Sequence, residues 1–393
     1  MGKKKLSLGI VQTHPTQFDG PLFRRIARKN EFDLTVYYTD PAKSLMDPEV
    51  GRSPGWSDDN SRGYGSYFSG KEIFGELRTM LKILEKRHDL VIFSGYRSFL
   101  YFIGPYLCRA FGTAAGLRSD NILCNEDSAS LKWRLKRLIL PFFFRIYTWG
   151  LPVGSLAAEY LKSFGFTSKN MSFFPYTVDA DECRRQYEKS LPDAKAKKEK
   201  MGIMEGSFII LGIMKFVPRE DPMTLLRAFE KISQEYPQTH LVLVGSGELE
   251  NSIRDFITQN NLARVHLSGY VQYKDLAIYY GIADVFVHPA VTESWGVSVH
   301  ESLACGVPVI ASDAVGAAAD LVLPANAGRA FRAGSAEELV SCLRAVMEDR
   351  GKLAEFSRNS ERAIRGWSVD KAAQNLHESL IAVSGGKYMG GAS

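Results

Sequence analysis

Short apolar runs alternate with amphipathic stretches along most of the chain. Leu6–Val11 and Leu34–Tyr38 read as strands, with Pro21–Lys29 as a helix between them. Lys71–Arg87 places Ile73, Leu77, Met80, Leu81 and Leu84 on one helical face. Leu90–Phe93 reads as a buried strand ending at Ser94-Gly95, and Phe99–Phe111 as an apolar helix. Further on the pattern restarts: Phe208–Ile213, Leu241–Val244, Val265–Leu267, Asp284–His288 and Pro308–Ala311 read as strands, each followed by a turn or helix. Strands alternating with helices imply parallel sheets with crossover helices. The expected fold is α/β, with two Rossmann-like domains facing each other across a cleft. Their expected spans are 1–183 and 184–369, with a last helix, Lys371–Val383 within the tail 370–393, packing back on the first domain. Arg184–Lys200 reads as the linker between them: it is rich in charge, contains Pro192 and holds few large apolar residues.

Residues 41–70 break the pattern. Gly, Ser, Pro and Asp dominate this stretch, and loops of such length in compact domains are usually functional or mobile. The chain has 393 residues with a formal net charge of +5, too weak a bias to suggest nucleic acid. The bias is uneven: residues 1–180 hold 25 basic and 17 acidic side chains, the remainder 24 and 27. Different partners for the two halves are therefore expected. The five cysteines show no paired spacing and read as reduced core residues of a reducing compartment. The start, Met1 to Val11, has too short an apolar run for a signal peptide, and no run reaches the ~18 apolar residues of a membrane span. A cytoplasmic protein is expected.

The most informative segment runs from Thr292 to Ser312 (TESWGVSVHESLACGVPVIAS) as loop, helix, loop and strand. Glu293 falls just beyond the strand Asp284–His288, at the carboxyl end, where open α/β sheets bind ligands. Gly296 permits close backbone approach, and the first amides of a helix beginning near Val297 suit an anion. Glu293 and Glu301 could each accept hydrogen bonds from hydroxyls of a sugar or ribose. A plainer reading caps this helix with Ser294 or Ser298 and leaves Glu301 in solvent.

This segment resembles retaining glycosyltransferases of family 4, the group 1 glycosyl transferases, whose architecture (GT-B) is two facing Rossmann-like domains. Glu293, Glu301 and Gly306–Ser312 match the family's paired glutamates and following strand. Phe216–Phe229 is similar to its phosphate-clamp loop and helix, Val244-Gly-Ser-Gly-Glu248 to its glycine turn, and Gly269-Tyr-Val271 to the loop that meets the nucleobase. Gly316 resembles a further turn glycine. His14–Arg24 resembles an N-terminal loop at the cleft, and Phe164–Asp179 the entry to the interdomain crossover.

The resemblance implies a metal-independent transferase that uses a nucleoside-diphosphate sugar as donor substrate and needs no cofactor. It implies that Glu293 holds hydroxyls of the transferred sugar, that Gly296, Val297 and Ser298 lie on sugar or phosphate, and that Glu301 holds the ribose. Gly245, Tyr270 and Val271 complete the donor side. Lys215 stands where the family has an Arg, and Glu220 where it has a Lys, with Arg219 one place earlier. Lys215 and Arg219 are therefore expected to neutralise the departing diphosphate, Arg219 pointing inward and Glu220 outward, near the N-terminus of the helix 222–236. His14 is expected to take part at the reacting sugar. Gln17, Phe18, Arg118 and Asp120 are the acceptor-side candidates, Arg118 and Asp120 standing where the family often carries a histidine; otherwise they close a turn. The acceptor is expected to be a glycan, a lipid-linked glycan or a small molecule.

Residues 131–149 interleave Lys132, Arg134, Lys136, Arg137 and Arg145 with Trp133 and Phe142–Phe144. One reading is an anionic membrane surface docked through this stretch, a peripheral association on the inner face. The other is a core helix with basic edges. Asp179-Ala-Asp181 spells a metal-binding pattern of another architecture and is not expected to hold metal here. His288 and His300 read as packing or surface residues. A catalytically weakened partner subunit of another transferase is the alternative function. A nicotinamide dehydrogenase is a poor fit, because Gly245-Ser-Gly247 lacks the third glycine of the dinucleotide fingerprint.

Overall fold

A computed structural model describes residues 5–29, 32–40, 61–70, 72–96, 98–125 and 130–383. The chain divides into two compact units, one holding the described residues up to 177 together with 369–383, the other spanning 178–368.

The first unit opens with β1 (Leu6–Gln12), α1 (Asp19–Arg28), β2 (Phe32–Tyr38), β3 (Gly65–Phe68), α2 (Ile73–Lys86) and β4 (Leu90–Ser94). It continues through α3 (Phe99–Ala110), β5 (Ala114–Ser119), α4 (Leu131–Phe144), β6 (Trp149–Pro152) and α5 (Ser155–Ser163). The six strands are parallel, in the order β3-β2-β1-β4-β5-β6. Leu8, Ile10, Val11 and Val91–Phe93 are wholly buried, as expected of strands covered by helices on both faces. On one face Met80, Tyr101, Trp133 and Phe143 bring α2, α3 and α4 against the sheet. On the other lie Leu22, Phe23 and Ile26 of α1.

The second unit follows with α6 (Ala180–Lys200), β7 (Phe208–Ile213), α7 (Pro222–Glu235), β8 (Thr239–Val244), α8 (Glu250–Gln259), β9 (Val265–Leu267), α9 (Leu276–Ile282) and β10 (Val285–His288). Then come α10 (Val297–Ala304), β11 (Val309–Ser312), β12 (Gly328–Phe331), α11 (Ala336–Glu348) and α12 (Arg350–Arg365). Its parallel sheet has the order β12-β11-β10-β7-β8-β9. The chain then returns to the first unit as α13 (Val369–Val383), whose Ala373 and Leu376 join the core beside α1.

In both sheets the strand order reverses once, between β1 and β4 and between β7 and β10. Such reversals open a crevice at the carboxyl ends of the strands, where ligands of this fold class bind.

Three sequence readings need correction. Arg184–Lys200 is not a linker but most of the 21-residue helix α6, capped by Asp179, whose Oδ1 accepts from the Glu182 amide at 3.0 Å. The helix buries a narrow strip of small residues, Ser190 and Ala194, closely against Gly281 of α9. A small-residue seam leaves no large apolar periodicity to read. The cap also accounts for Asp179 in the Asp-x-Asp pattern. Within 41–70, Gly65–Phe68 is an edge strand, and Phe68 stacks on Tyr38 with ring centroids 5.0 Å apart; residues 41–60 lie outside the described residues. Cys124 is exposed rather than part of the core. Among the described residues, no helix is long and apolar enough to cross a membrane.

Candidate functional site

The strand reversal of the second unit gathers three loops. After β7 the chain keeps pairing with the loop that follows β8: the Met214 amide donates to Val244 O and the Phe216 amide to Ser246 O, each at 3.0 Å. Lys215 is thus held between two fixed neighbours. The approach requires glycine at 245, where a Cβ would lie 1.8 Å from Met214 O. The Gly245 amide in turn donates to Gly269 O at 2.9 Å, bringing the half-buried Tyr270 and Val271 to the same edge.

Arg219 lies in the single turn Pro218–Glu220. Its carbonyl accepts from the amides of Val291 (2.9 Å) and Thr292 (3.3 Å), so the loops after β7 and β10 are joined through backbone. Its guanidinium bridges two carboxylates, Nη2 to Glu220 Oε1 at 2.8 Å and Nη1 to Glu293 Oε2 at 3.3 Å. Glu293 Oε1 also accepts from the Trp295 amide at 3.3 Å. The Gly316 amide donates to Glu293 O, and a Cβ on Gly316 would meet Ser294 O at 2.2 Å, so this second turn also requires glycine.

Glu220 does not point outward. Its side chain is buried and Oε2 accepts from the Lys215 amide at 2.8 Å. Burial pushes its carboxyl up to about 7; Arg219 pulls the other way and Glu293 adds to the rise. The reason for the inward turn is its neighbour. Asp221 takes a left-handed conformation (φ 45°) and caps α7, accepting from the Thr224 amide at 3.2 Å. The helix terminus is already served, and Glu220 folds under the turn.

Gly296 caps α10 with φ 90° and no side-chain bond, which sets aside the caps expected of Ser294 or Ser298. Val297 and Ser298 are half-buried at its first turn. Glu301 is buried, not solvated. The Tyr280 hydroxyl reaches both Glu301 Oε2 (3.0 Å) and Ser298 O (3.2 Å), while Glu301 Oε1 is buried with no hydrogen-bond partner among the described residues. Burial raises this carboxyl to about 7 against the pull of the Tyr280 and Tyr273 hydroxyls. A small pocket lined by Cys183, Gln186, Tyr273, Tyr280 and Cys305 adjoins it.

In the first unit the candidates lie at the carboxyl ends of β1 and β5. His14 is half-buried, with Nδ1 3.0 Å from Thr13 Oγ1. Gln17 and Phe18 follow, and Phe18 meets Tyr176 edge-on at 4.8 Å. Arg118 is only 3% exposed and is spent on structure. It pairs with Asp19 at 2.8 Å, donates to the carbonyls of Phe174 and Pro175, and lies over the rings of Phe174 and Tyr176. It ties β5 to the start of α1 and to the segment 174–176 rather than closing a local turn. Asp120 accepts from the Tyr176 hydroxyl at 3.0 Å.

Residues 193–363 match the family model of the glycosyl transferases group 1. The matched stretch lies within the second unit and spans less than half of the chain. Over 187 residues it is 28% identical to a GDP-mannose-dependent monoacylated alpha-(1-6)-phosphatidylinositol monomannoside mannosyltransferase of Corynebacterium glutamicum, covering 45% of this chain and 48% of that one. Over 193 residues it is 26% identical to an alpha-monoglucosyldiacylglycerol synthase of Acholeplasma laidlawii, covering 47% of each. The chain thus spans about half the length of these curated relatives. The crystal structure of Anabaena HepE in complex with UDP superposes with a TM-score of 0.73 at 18% identity, over 95% of this chain and 99% of that one. At that identity the likeness shows the fold, which is GT-B. The family match includes Lys215, Arg219, Glu293 and Glu301.

Besides the inward turn of Glu220, sequence reasoning missed Tyr280. Tyr280 looks like an ordinary aromatic of a short helix, and only tertiary structure aims its hydroxyl at Glu301. His288, at the end of β10, is buried as its packing reading expects; neither ring nitrogen has a hydrogen-bond partner among the described residues, and the charges of Glu293 and Arg219 act on it.

Proposed function

We propose that this chain is a retaining glycosyltransferase that moves a sugar from a nucleoside-diphosphate sugar to a lipid-linked or other glycan acceptor. The observation that carries the reading is the convergence of Lys215, Arg219 and Glu293 at the strand reversal of the unit that matches the group 1 family. As the glycosidic bond to the diphosphate breaks, negative charge grows on the leaving group and the sugar becomes cation-like. Fixed cations at Lys215 and Arg219 stabilise the departing diphosphate without reorganising. Glu293, oriented by Arg219 and the Trp295 amide, accepts hydroxyls of the transferred sugar. Gly296, Val297 and Ser298 present the first amides of α10 to the donor. Glu301 Oε1, without a hydrogen-bond partner among the described residues, accepts a ribose hydroxyl, and Gly245, Tyr270 and Val271 border the nucleoside. The reaction as proposed needs no cofactor and no metal. His14, Gln17 and Phe18 are assigned to the acceptor half of the reaction.

The lipid acceptor is supported by two observations. The two curated relatives carry phosphatidylinositol mannoside and diacylglycerol in their names. Moreover, α4 turns Leu131, Leu135, Leu138, Ile139 and Phe142 outward at helical spacing, although Trp133, Leu140, Phe143 and Phe144 already fill its core face. Neighbouring helices add Phe74 and Leu81 of α2 and Phe102 and Tyr106 of α3, all exposed. An apolar surface of this kind, edged by Lys132, Arg134 and Arg137, fits the interface of an anionic bilayer. Under this proposal the buried face of α4 serves the core and its outward face the membrane.

The test is to mix the protein with a panel of nucleotide sugars and a membrane-lipid extract, and follow nucleoside diphosphate and product. Release with one donor, and a product keeping the donor's anomeric configuration, is expected. Inversion would refute the retaining assignment, and no release with any donor would refute the enzyme.

A further inference from the structure

Arg219 is the best-placed cation for a diphosphate, yet its guanidinium is engaged from two sides within the chain. Glu293 holds Nη1 at 3.3 Å and Glu220 holds Nη2 at 2.8 Å. The two carboxylates are not equivalent: the Glu220 side chain is 7% exposed and that of Glu293 21%. The other oxygen of Glu220 accepts the Lys215 amide. One buried carboxylate therefore ties both cationic positions together, Lys215 through its backbone and Arg219 through its side chain. It occupies the guanidinium as a phosphate oxygen would.

We propose that Glu220 is an internal counter-ion of the clamp, released when the donor's diphosphate takes Arg219, and that its carboxylate is neutralised by a proton taken from solvent in the same step. This rests on the glycosyltransferase reading above. Charge conservation at the site motivates the proton. An ionised Glu220 beside a diphosphate would repel it in a poorly hydrated pocket, and a buried carboxylate that has lost its cation is disfavoured relative to its neutral form. The charged groups facing Glu220 are Arg219 on its own turn, Lys215 after β7 and Glu293 after β10. The buried His288 at the end of β10 feels the charges of Glu293 and Arg219, and burial pushes its imidazole below the ordinary value. Asp221 is turned toward Thr224 and does not compete. With its carboxyl raised to about 7, Glu220 changes charge within the ordinary working range of pH.

The test is calorimetric binding of UDP-glucose and GDP-mannose to the full chain from pH 6 to 8.5, in buffers of different ionisation enthalpy. The diphosphate of a nucleotide sugar, unlike that of a free nucleoside diphosphate, does not titrate in this window. The wild-type affinity should fall roughly tenfold or more as pH rises through the window, with net proton uptake on binding. Glu220→Gln, which keeps an oxygen for the Lys215 amide, should bind at every pH about as tightly as wild type at pH 6, without proton uptake. Identical pH profiles for the two proteins would overturn the inference while leaving the enzyme reading intact. Failure of every nucleotide sugar at every pH would overturn the enzyme reading instead. Carboxyl-selective NMR of the wild type gives an answer independent of the variant. On saturation at pH 7.5 the Glu220 resonance should move to its protonated position, and a resonance that stays ionised overturns the proposal.

Discussion

The Arg219 guanidinium meets the Glu293 carboxylate at 3.3 Å, although 74 residues separate them, because the Arg219 carbonyl accepts the amides of Val291 and Thr292. The ion pair thus follows from a backbone junction between the loops after β7 and β10. Removing the carboxylate leaves that junction standing. Glu293→Ala should therefore lower kcat/KM of sugar transfer by about 10- to 150-fold, or ~1.5–3 kcal/mol, with the urea midpoint little changed. Steady-state kinetics with urea unfolding checks both halves of the expectation.

Arg118 and Asp19 form the most enclosed ion pair among the described residues of the first unit, with side chains 2% and 1% exposed. Asp19 also accepts from Gln12 at 2.6 Å and from Thr16 at 3.1 Å. Asp19→Ala should leave a buried guanidinium unpaired and cost about 3–5 kcal/mol. Arg118→Met combined with Asp19→Ala should cost less than the sum of the two single changes. Denaturant unfolding of all four proteins completes the cycle, and additive costs would show that the pair carries no mutual energy.

Much of this was legible in the sequence where chemistry and position coincide locally. Glu293, Gly296 and Glu301 lie within nine residues of one strand–loop–helix segment, so spacing alone brings them to one sheet edge. The directions of side chains in tight turns were not legible. Glu220 turns inward because Asp221 adopts φ 45° and takes over the capping of α7. That is a backbone fact with no periodic signature. Arg118 likewise looked available because the residues that consume it, Asp19, Phe174 and Tyr176, are distant in sequence. The edge strand Gly65–Phe68 is too short and too exposed to stand out, and α6 hides its packing in Ser190 and Ala194.

Glu301 offers a test through pH. Its folded carboxyl is raised from 4.5 to about 7, so the native state binds more protons than the unfolded chain between those values. Its contribution is therefore fully present below the unfolded value and lost as pH rises through about 7. Glu301→Gln should abolish this part of the decline, so the variant gains on wild type from pH 5 to pH 8. Urea midpoints at four pH values between these limits check the sign. A variant that instead loses ground as pH rises would contradict the raised carboxyl.

The outward face of α4 should bind lipid through apolar contact and charge together. Leu138→Ser with Phe142→Ser changes residues that are each 68% exposed, so thermal stability should be nearly unaffected. Sedimentation with vesicles containing about one-third anionic lipid should fall several-fold for this variant, and wild-type binding should weaken with added salt. Equal wild-type binding to neutral and anionic vesicles, or none at all, would rule out the anionic membrane surface.

The donor site is tested most directly by hydrogen exchange of the wild-type protein, with and without a saturating nucleotide sugar from the active panel. The amides of 214–220, 245–248 and 292–300 should gain protection together, because Lys215, Arg219, Gly245, Glu293 and the first turn of α10 line one sheet edge. Saturable binding that leaves these three segments unchanged, with protection confined to the first unit, would contradict the assignment.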